Sequence, residues 1–141
     1  MNEVMTHGAK FTDKKVHYNI EDTSFFDIPL DTTKENFCKY DGKLIPLNDA
    51  VTVLRTDTNE VIGRPRSDKY KVINPKILFD RHAEKLLKSN LPTKNLEVTD
   101  WSFDNGAKSL RTTKFNDLDF QIGGGDTVKA RQDIFTSLDL S

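Results

Sequence analysis

One segment constrains this chain more than any other, residues 96–115. Asn105-Gly106 at its centre is the strongest two-residue hairpin signal, since both residues tolerate the positive φ of a tight turn. Folding there sets Phe103 opposite Lys108, Trp101 opposite Leu110, Thr99 opposite Thr112 and Glu97 opposite Lys114. On the other face it sets Asp100 opposite Arg111, Val98 opposite Thr113 and Leu96 opposite Phe115. Opposite charges meet twice and like charges never do; such cross-strand pairs contribute roughly 0.2–1 kcal/mol each. Trp101 and Phe103 share one face while Leu96 and Val98 occupy the other. Three arrangements fit: the sheet is covered on both sides, a bulge switches parity, or Trp101 is partly exposed as a stacking platform.

The remaining elements follow from caps and turns. Residues 51–56 and 61–63 read as two strands joined by the turn Asp57-Thr58-Asn59-Glu60, with Pro65 marking an edge or a bulge. Residues 70–73 read as a third short strand. Asn74-Pro75 opens a helix, Asn as cap and Pro at the first helical position. Phe79, Ala83, Leu86 and Leu87 form its apolar stripe, with His82 a solvated helix residue, and Asn90, Leu91 and Pro92 end it. The triple glycine 123–125 forces a turn, and residues 128–140 read as a last strand. Before residue 50, Phe25, Phe26, Ile28 and Leu30 read as an extended apolar segment, followed by a loop with a turn at Asp41-Gly42. The order strand, strand, strand, helix, hairpin, strand predicts an α+β fold: an antiparallel sheet with one main helix on one face. Residues 1–24 read as a polar N-terminal arm, either partly disordered or adding one strand, and 25–141 as a single domain.

At 141 residues, 35% hydrophobic and 30% charged, the chain fits one domain. The net charge of −1 supplies no global pull towards nucleic acid or membrane. The single cysteine, Cys38, excludes an internal disulfide and favours a reducing, cytoplasmic setting. Residues 1–20 lack the apolar core of a signal peptide, and nothing approaches a membrane span. His7, His17 and His82 share no ligand spacing, and no catalytic motif occurs. Neither an enzymatic activity, a metal nor a cofactor is expected.

The basic residues carry the functional expectation. Arg64 and Arg66 share one strand face, Lys69 and Lys71 follow with Tyr70 between them, and Lys108, Arg111 and Lys114 lie on the hairpin. Together with Arg55, and with Tyr70 or Trp101 stacking a base, they predict a non-enzymatic module that holds single-stranded DNA. The alternative is a protein-interaction module, suggested by the near-neutral charge and the aperiodic first 24 residues. Open sheet edges leave room for a homo-oligomer.

Within residues 51–90, the stretch VTVLRTDTNEVIGRPRSDKYKVINPKILFDRHAEKLL resembles the N-terminal part of the phage/plasmid-like protein family, a domain of unknown function. The resemblance rests on Arg55, Asp57, Ile62-Gly63, Lys69-Tyr70, Asn74 and the helix from Pro75. A second piece, GGDTVKARQDIFTSLDLS, is similar to the family's later strand, which usually ends in Ser-His-Asp-Gly-Ser. Here that end reads Ser137-Leu138-Asp139-Leu140-Ser141, without the His and the Gly. Of the family's glycine-rich hairpin, only Asn105-Gly106 and a basic strand correspond. Family members are usually longer, so the resemblance implies a shortened or truncated member. It implies a phage or other mobile element, a host-cell cytoplasmic location, and a role accessory to DNA replication or recombination; the alternative there is a host-factor inhibitor or an assembly component. The three-strands-then-helix order is also similar to the core of single-strand annealing proteins.

Overall fold

The computed structural model describes residues 9–67, 69 and 71–138, with the backbone alone at 64–66, 120–122 and 126. Its strands are β1 (Phe11–His17), β2 (Leu30–Thr33), β3 (Phe37–Tyr40), β4 (Lys43–Pro46), β5 (Ala50–Arg55), β6 (Glu60–Ser67), β7 (Leu96–Phe103), β8 (Lys108–Ile122) and β9 (Asp126–Ser137). One helix, α1 (Pro75–Leu87), lies between β6 and β7. The fold is α+β, with every strand pair antiparallel.

The strands form three sheets, ordered β1-β7-β8-β9, β2-β5-β6 and β3-β4. The β7–β8 pair has the register that the turn and the charges predict, from Leu96↔Phe115 to Phe103↔Lys108. Four residues, 104–107, close it. Asp104, Asn105 and Gly106 there have φ of 51°, 56° and 100°, which suits Asn and Gly. At Gly106 a Cβ would also lie 2.9 Å from Ile28 Cδ1 and 3.0 Å from Arg55 Nη1, so the ends of those side chains would have to shift.

Asn74 caps α1, its side chain accepting from the Lys76 amide at 3.0 Å and donating to the Ile28 carbonyl at 3.0 Å. The helix buries Pro75, Phe79, Ala83 and Leu86, while Leu87 is left exposed. Ala83 and Leu86 pack on Ile20, Leu96, Val98 and Phe115. Phe79 stacks on Phe26 with ring centroids 3.9 Å apart. A fully buried side chain of this size contributes roughly 1.5–3 kcal/mol. The opposite face of the large sheet holds Trp101, Phe103 and Leu110, with Phe11 of β1 edge-on to both aromatic rings. Apolar residues alternate onto both faces of β7 because both faces are covered.

Several sequence expectations change. The third strand at 70–73 does not form: residues 71–74 are irregular, and Tyr70 lies outside the described residues. β6 continues to Ser67, and the chain then needs an extended approach to Pro75, which disfavours helical backbone in the residue before it. The apolar segment at 25–30 opens with a 3-10 turn, Ser24–Phe26, which buries Phe26 against α1. The loop expected between 31 and 49 contains β2, β3 and β4. Within residues 1–24, Phe11–His17 pairs with β7 as an edge strand, and residues 1–8 lie outside the described residues. His82 is half-buried, its Nε2 2.8 Å from Gln132 Oε1 of β9. Residues 139–141, the first two of which end the predicted last strand, also lie outside the described residues.

Candidate functional site

Of the ten residues expected to hold nucleic acid, those described do not form one surface. Arg111 is wholly buried, and so is Asp100 opposite it. Arg111 Nε donates to Asp100 Oδ1 at 2.7 Å and its Nη2 to Oδ2 at 3.1 Å. Its other donors meet the carbonyls of Ile20 at 2.7 Å and Asp22 at 2.6 Å. The guanidinium also lies over the rings of Phe26 and Phe79, 5.6 and 5.9 Å from their centroids. His17 completes the cluster. Its Nε2–H donates to Asp100 Oδ2 at 2.8 Å while its Nδ1 accepts from the Asn19 amide at 3.3 Å, which fixes the tautomer. A guanidinium enclosed in this way has no edge left for a phosphate. Asp100 and Arg111 are the expected cross-strand pair, but α1 and the Ser24–Phe26 turn close over them.

Two more of the ten are internal. Lys108 is buried, its Nζ 3.2 Å from Asp104 Oδ2. Trp101 is 8% exposed, with Lys14 over its ring at 5.2 Å, so it offers no stacking face. Arg55 grips Asp57 at 2.7 and 3.0 Å and donates to the Asn105 carbonyl at 2.7 Å. It ties β5 to the 104–107 turn, and its hydrogen bond holds the Asp57 carboxyl below the usual range. Lys69, Lys71 and Lys114 are exposed, Lys114 standing 3.6 Å from Glu97. The side chains of Arg64 and Arg66, and all of Tyr70, lie outside the described residues. Among the described residues, no group of three His, Cys, Asp or Glu side chains is placed to hold a metal ion. No helix among them is long and apolar enough to cross a membrane.

The structure draws attention instead to the β3–β4 hairpin. Its pairs are Phe37↔Pro46, Cys38↔Ile45, Lys39↔Leu44 and Tyr40↔Lys43. Asp41 and Gly42 both have positive φ, 50° and 73°, the geometry of a type I′ turn. All eight strand residues are exposed. Tyr40 and Leu44 are 74% and 70% exposed, and Phe37 is 56%. Strand alternation puts Phe37, Leu44 and Pro46 on one face and Cys38, Tyr40 and Ile45 on the other, with one lysine each. An isolated two-stranded hairpin is marginal in water, and an exposed apolar one more so.

The base of this hairpin is tied down by hydrogen bonds. Buried Asn36 donates from Nδ2 to the carbonyls of Thr33 at 3.2 Å and Ala50 at 2.8 Å, and its Oδ1 accepts from the Thr52 hydroxyl. The Leu47 amide donates to the Asn36 carbonyl at 2.7 Å, closing the hairpin. One buried amide therefore fixes an exposed blade to the β2-β5-β6 sheet. Sequence reasoning found the turn at Asp41-Gly42 but missed the strands. The signal available was Phe37, Tyr40, Leu44 and Ile45 flanking that turn. No protein-family model, curated protein or solved structure matches this chain.

Proposed function

We propose that this chain is a non-catalytic protein-binding module whose recognition element is the β3–β4 hairpin. One observation carries the reading: Phe37, Tyr40, Leu44 and Ile45 are all exposed on a hairpin whose base is hydrogen-bonded to the β2-β5-β6 sheet. Apolar anchors with Lys39 and Lys43 beside them suit an apolar groove with an acidic rim. The resemblance at residues 51–90 supports a setting in a mobile element, where such a module would act as a host-factor inhibitor or an assembly component.

Cys38, the chain's single cysteine, is exposed on the hairpin and takes an environment-sensitive dye. Addition of native lysate fractions should shift the dye to the blue, and Tyr40→Thr with Leu44→Thr, which place no lysine opposite Lys43 or Lys39, should abolish that shift and the co-purification of the partner. Melting should stay close to unchanged, because both side chains are mostly exposed and threonine keeps the strand preference. Co-purification that survives both substitutions overturns the reading. The other reading, capture of single-stranded DNA, retains Lys69, Lys71 and Lys114 as exposed cations. Anisotropy of a labelled strand of about 30 bases, titrated at two salt concentrations, tests it. Salt-sensitive binding that weakens on substitution of those lysines would favour it over protein capture.

A further inference from the structure

The β9 strand forms one edge of the four-stranded sheet, with β8 as its hydrogen-bonded neighbour. An open edge is a template for another strand unless a proline, a bulge or like charges block it. β9 contains no proline, and the irregularity in its pairing lies on the β8 side, between Phe115 and Asp119. Its middle residues, Arg131, Gln132 and Asp133, are all exposed.

Charge decides which strand fits. Arg131 and Asp133 share one face and bind each other at 2.9 and 3.0 Å. Inside the sheet, Arg131 stands opposite Lys114, so its ladder partner there offers it no opposite charge. A strand that brings an anion opposite Arg131 and a cation opposite Asp133 supplies one to each. β9 is itself such a strand. Run antiparallel about Gln132, a second β9 sets its Asp133 opposite Arg131 and its Arg131 opposite Asp133.

A two-fold axis normal to the sheet keeps each residue on its own face, so the register slides only in two-residue steps. One step one way sets Arg131 against Arg131, and one step the other way sets Asp133 against Asp133. The Gln132-centred register avoids both. It also sets Ala130 opposite Ile134 and Lys129 opposite the half-exposed ring of Phe135. We propose that the chain forms a two-fold homodimer by antiparallel addition of β9 to β9, centred on Gln132, which joins two four-stranded sheets into one. Strand addition without a large face contact makes this a weak, concentration-dependent dimer. The inference is independent of the β3–β4 hairpin.

Sedimentation velocity up to about 500 µM tests it, on the unmodified chain, Arg131→Asp, Asp133→Arg and an equimolar mixture of the two variants. Arg131 and Asp133 are 42% and 44% exposed, so each variant should fold, with circular dichroism as the check. The unmodified chain should dimerise. Each variant sets like charges opposite each other twice and should dimerise roughly 10- to 100-fold more weakly. The mixture sets acid opposite base at both positions and should recover dimerisation, which a pair acting only within one chain cannot explain. A monomer at every concentration, a dimer indifferent to both reversals, or a mixture that fails to recover overturns the proposal. Leu44→Thr should leave the dimer unchanged, which separates failure here from failure of the hairpin reading.

Discussion

Replacing Arg111 by Met separates the two roles open to this residue. Methionine approximates the aliphatic volume, so little cavity forms between Phe26 and Phe79. What is lost is the partner of Asp100, which has no solvent exposure. Removing one member of a buried pair costs about 3–5 kcal/mol, because the other charge stays inside uncompensated. The carbonyls of Ile20 and Asp22 also lose their donor, but neighbouring Glu21 is exposed and water can reach that turn. A loss of about 4 kcal/mol is a large share of the 5–15 kcal/mol typical of a domain. With a urea slope of about 2 kcal/mol/M, the midpoint should fall by about 2 M. Asp100→Leu combined with Arg111→Met should recover at least about 2 kcal/mol of the summed single losses, since no charge is then orphaned. Equilibrium urea unfolding of all four proteins gives the cycle. A drop below about 1 kcal/mol in Arg111→Met, or a cycle without coupling, refutes the argument. It would mean that the guanidinium is solvated and open to a phosphate.

Asn36→Ala removes donors from two carbonyls and an acceptor from Thr52, and should cost about 2–3 kcal/mol. It should also speed amide exchange across residues 37–46 and weaken partner capture without altering any residue of the blade. Acid should destabilise the fold through Asp22 and Asp80. The hydrogen bond from Lys15 holds the Asp22 carboxyl far below its usual value, and those from Lys76 and then Thr23 lower Asp80. Both pKa values are depressed in the folded state, so the stabilisation is present above the unfolded value and drains away as pH falls through the folded one. Urea midpoints should therefore decline below roughly pH 5, and Asp80→Asn should flatten that decline.

The parts of the fold legible in the sequence are those decided within a few residues. The β7–β8 register follows from one turn and two charge pairs, and the start of α1 from Asn74-Pro75. What the sequence hides depends on which piece of chain closes over which face. Asp100 and Arg111 read as an ordinary exposed cross-strand pair, and nothing near them announces that Phe26 and Phe79 will cover them. Trp101 shares its face with Phe103, but its covering residue, Phe11, comes from a segment whose polarity suggests an arm. The blade fails for the opposite reason. Asp31, Lys34, Glu35, Lys39, Asp41 and Lys43 make residues 31–49 read as a solvated loop, although Phe37, Tyr40, Leu44 and Ile45 flank a turn of the favoured hairpin type.

The chain thus inverts the usual division between inside and outside at two places, and the inversions point in different directions. A buried Arg–Asp pair is seldom the most stable way to fill a core, since apolar residues of similar volume often do as well or better. Arg111, however, reaches four oxygens on two other segments: Asp100 of β7 and the carbonyls of Ile20 and Asp22 between β1 and the 3-10 turn. A hydrophobic side chain there would accept many placements of residues 18–23, whereas the guanidinium accepts one. That cluster is explained entirely within the chain. The exposed apolar blade is not, because Tyr40 and Leu44 stand 74% and 70% in solvent, where threonine would keep the strand without exposing a large apolar side chain. A rule broken inside and compensated inside concerns specificity of folding; a rule broken outside and left uncompensated points to another molecule. On that argument the β3–β4 hairpin, rather than the basic residues distributed through the sheets, is the place to search for function.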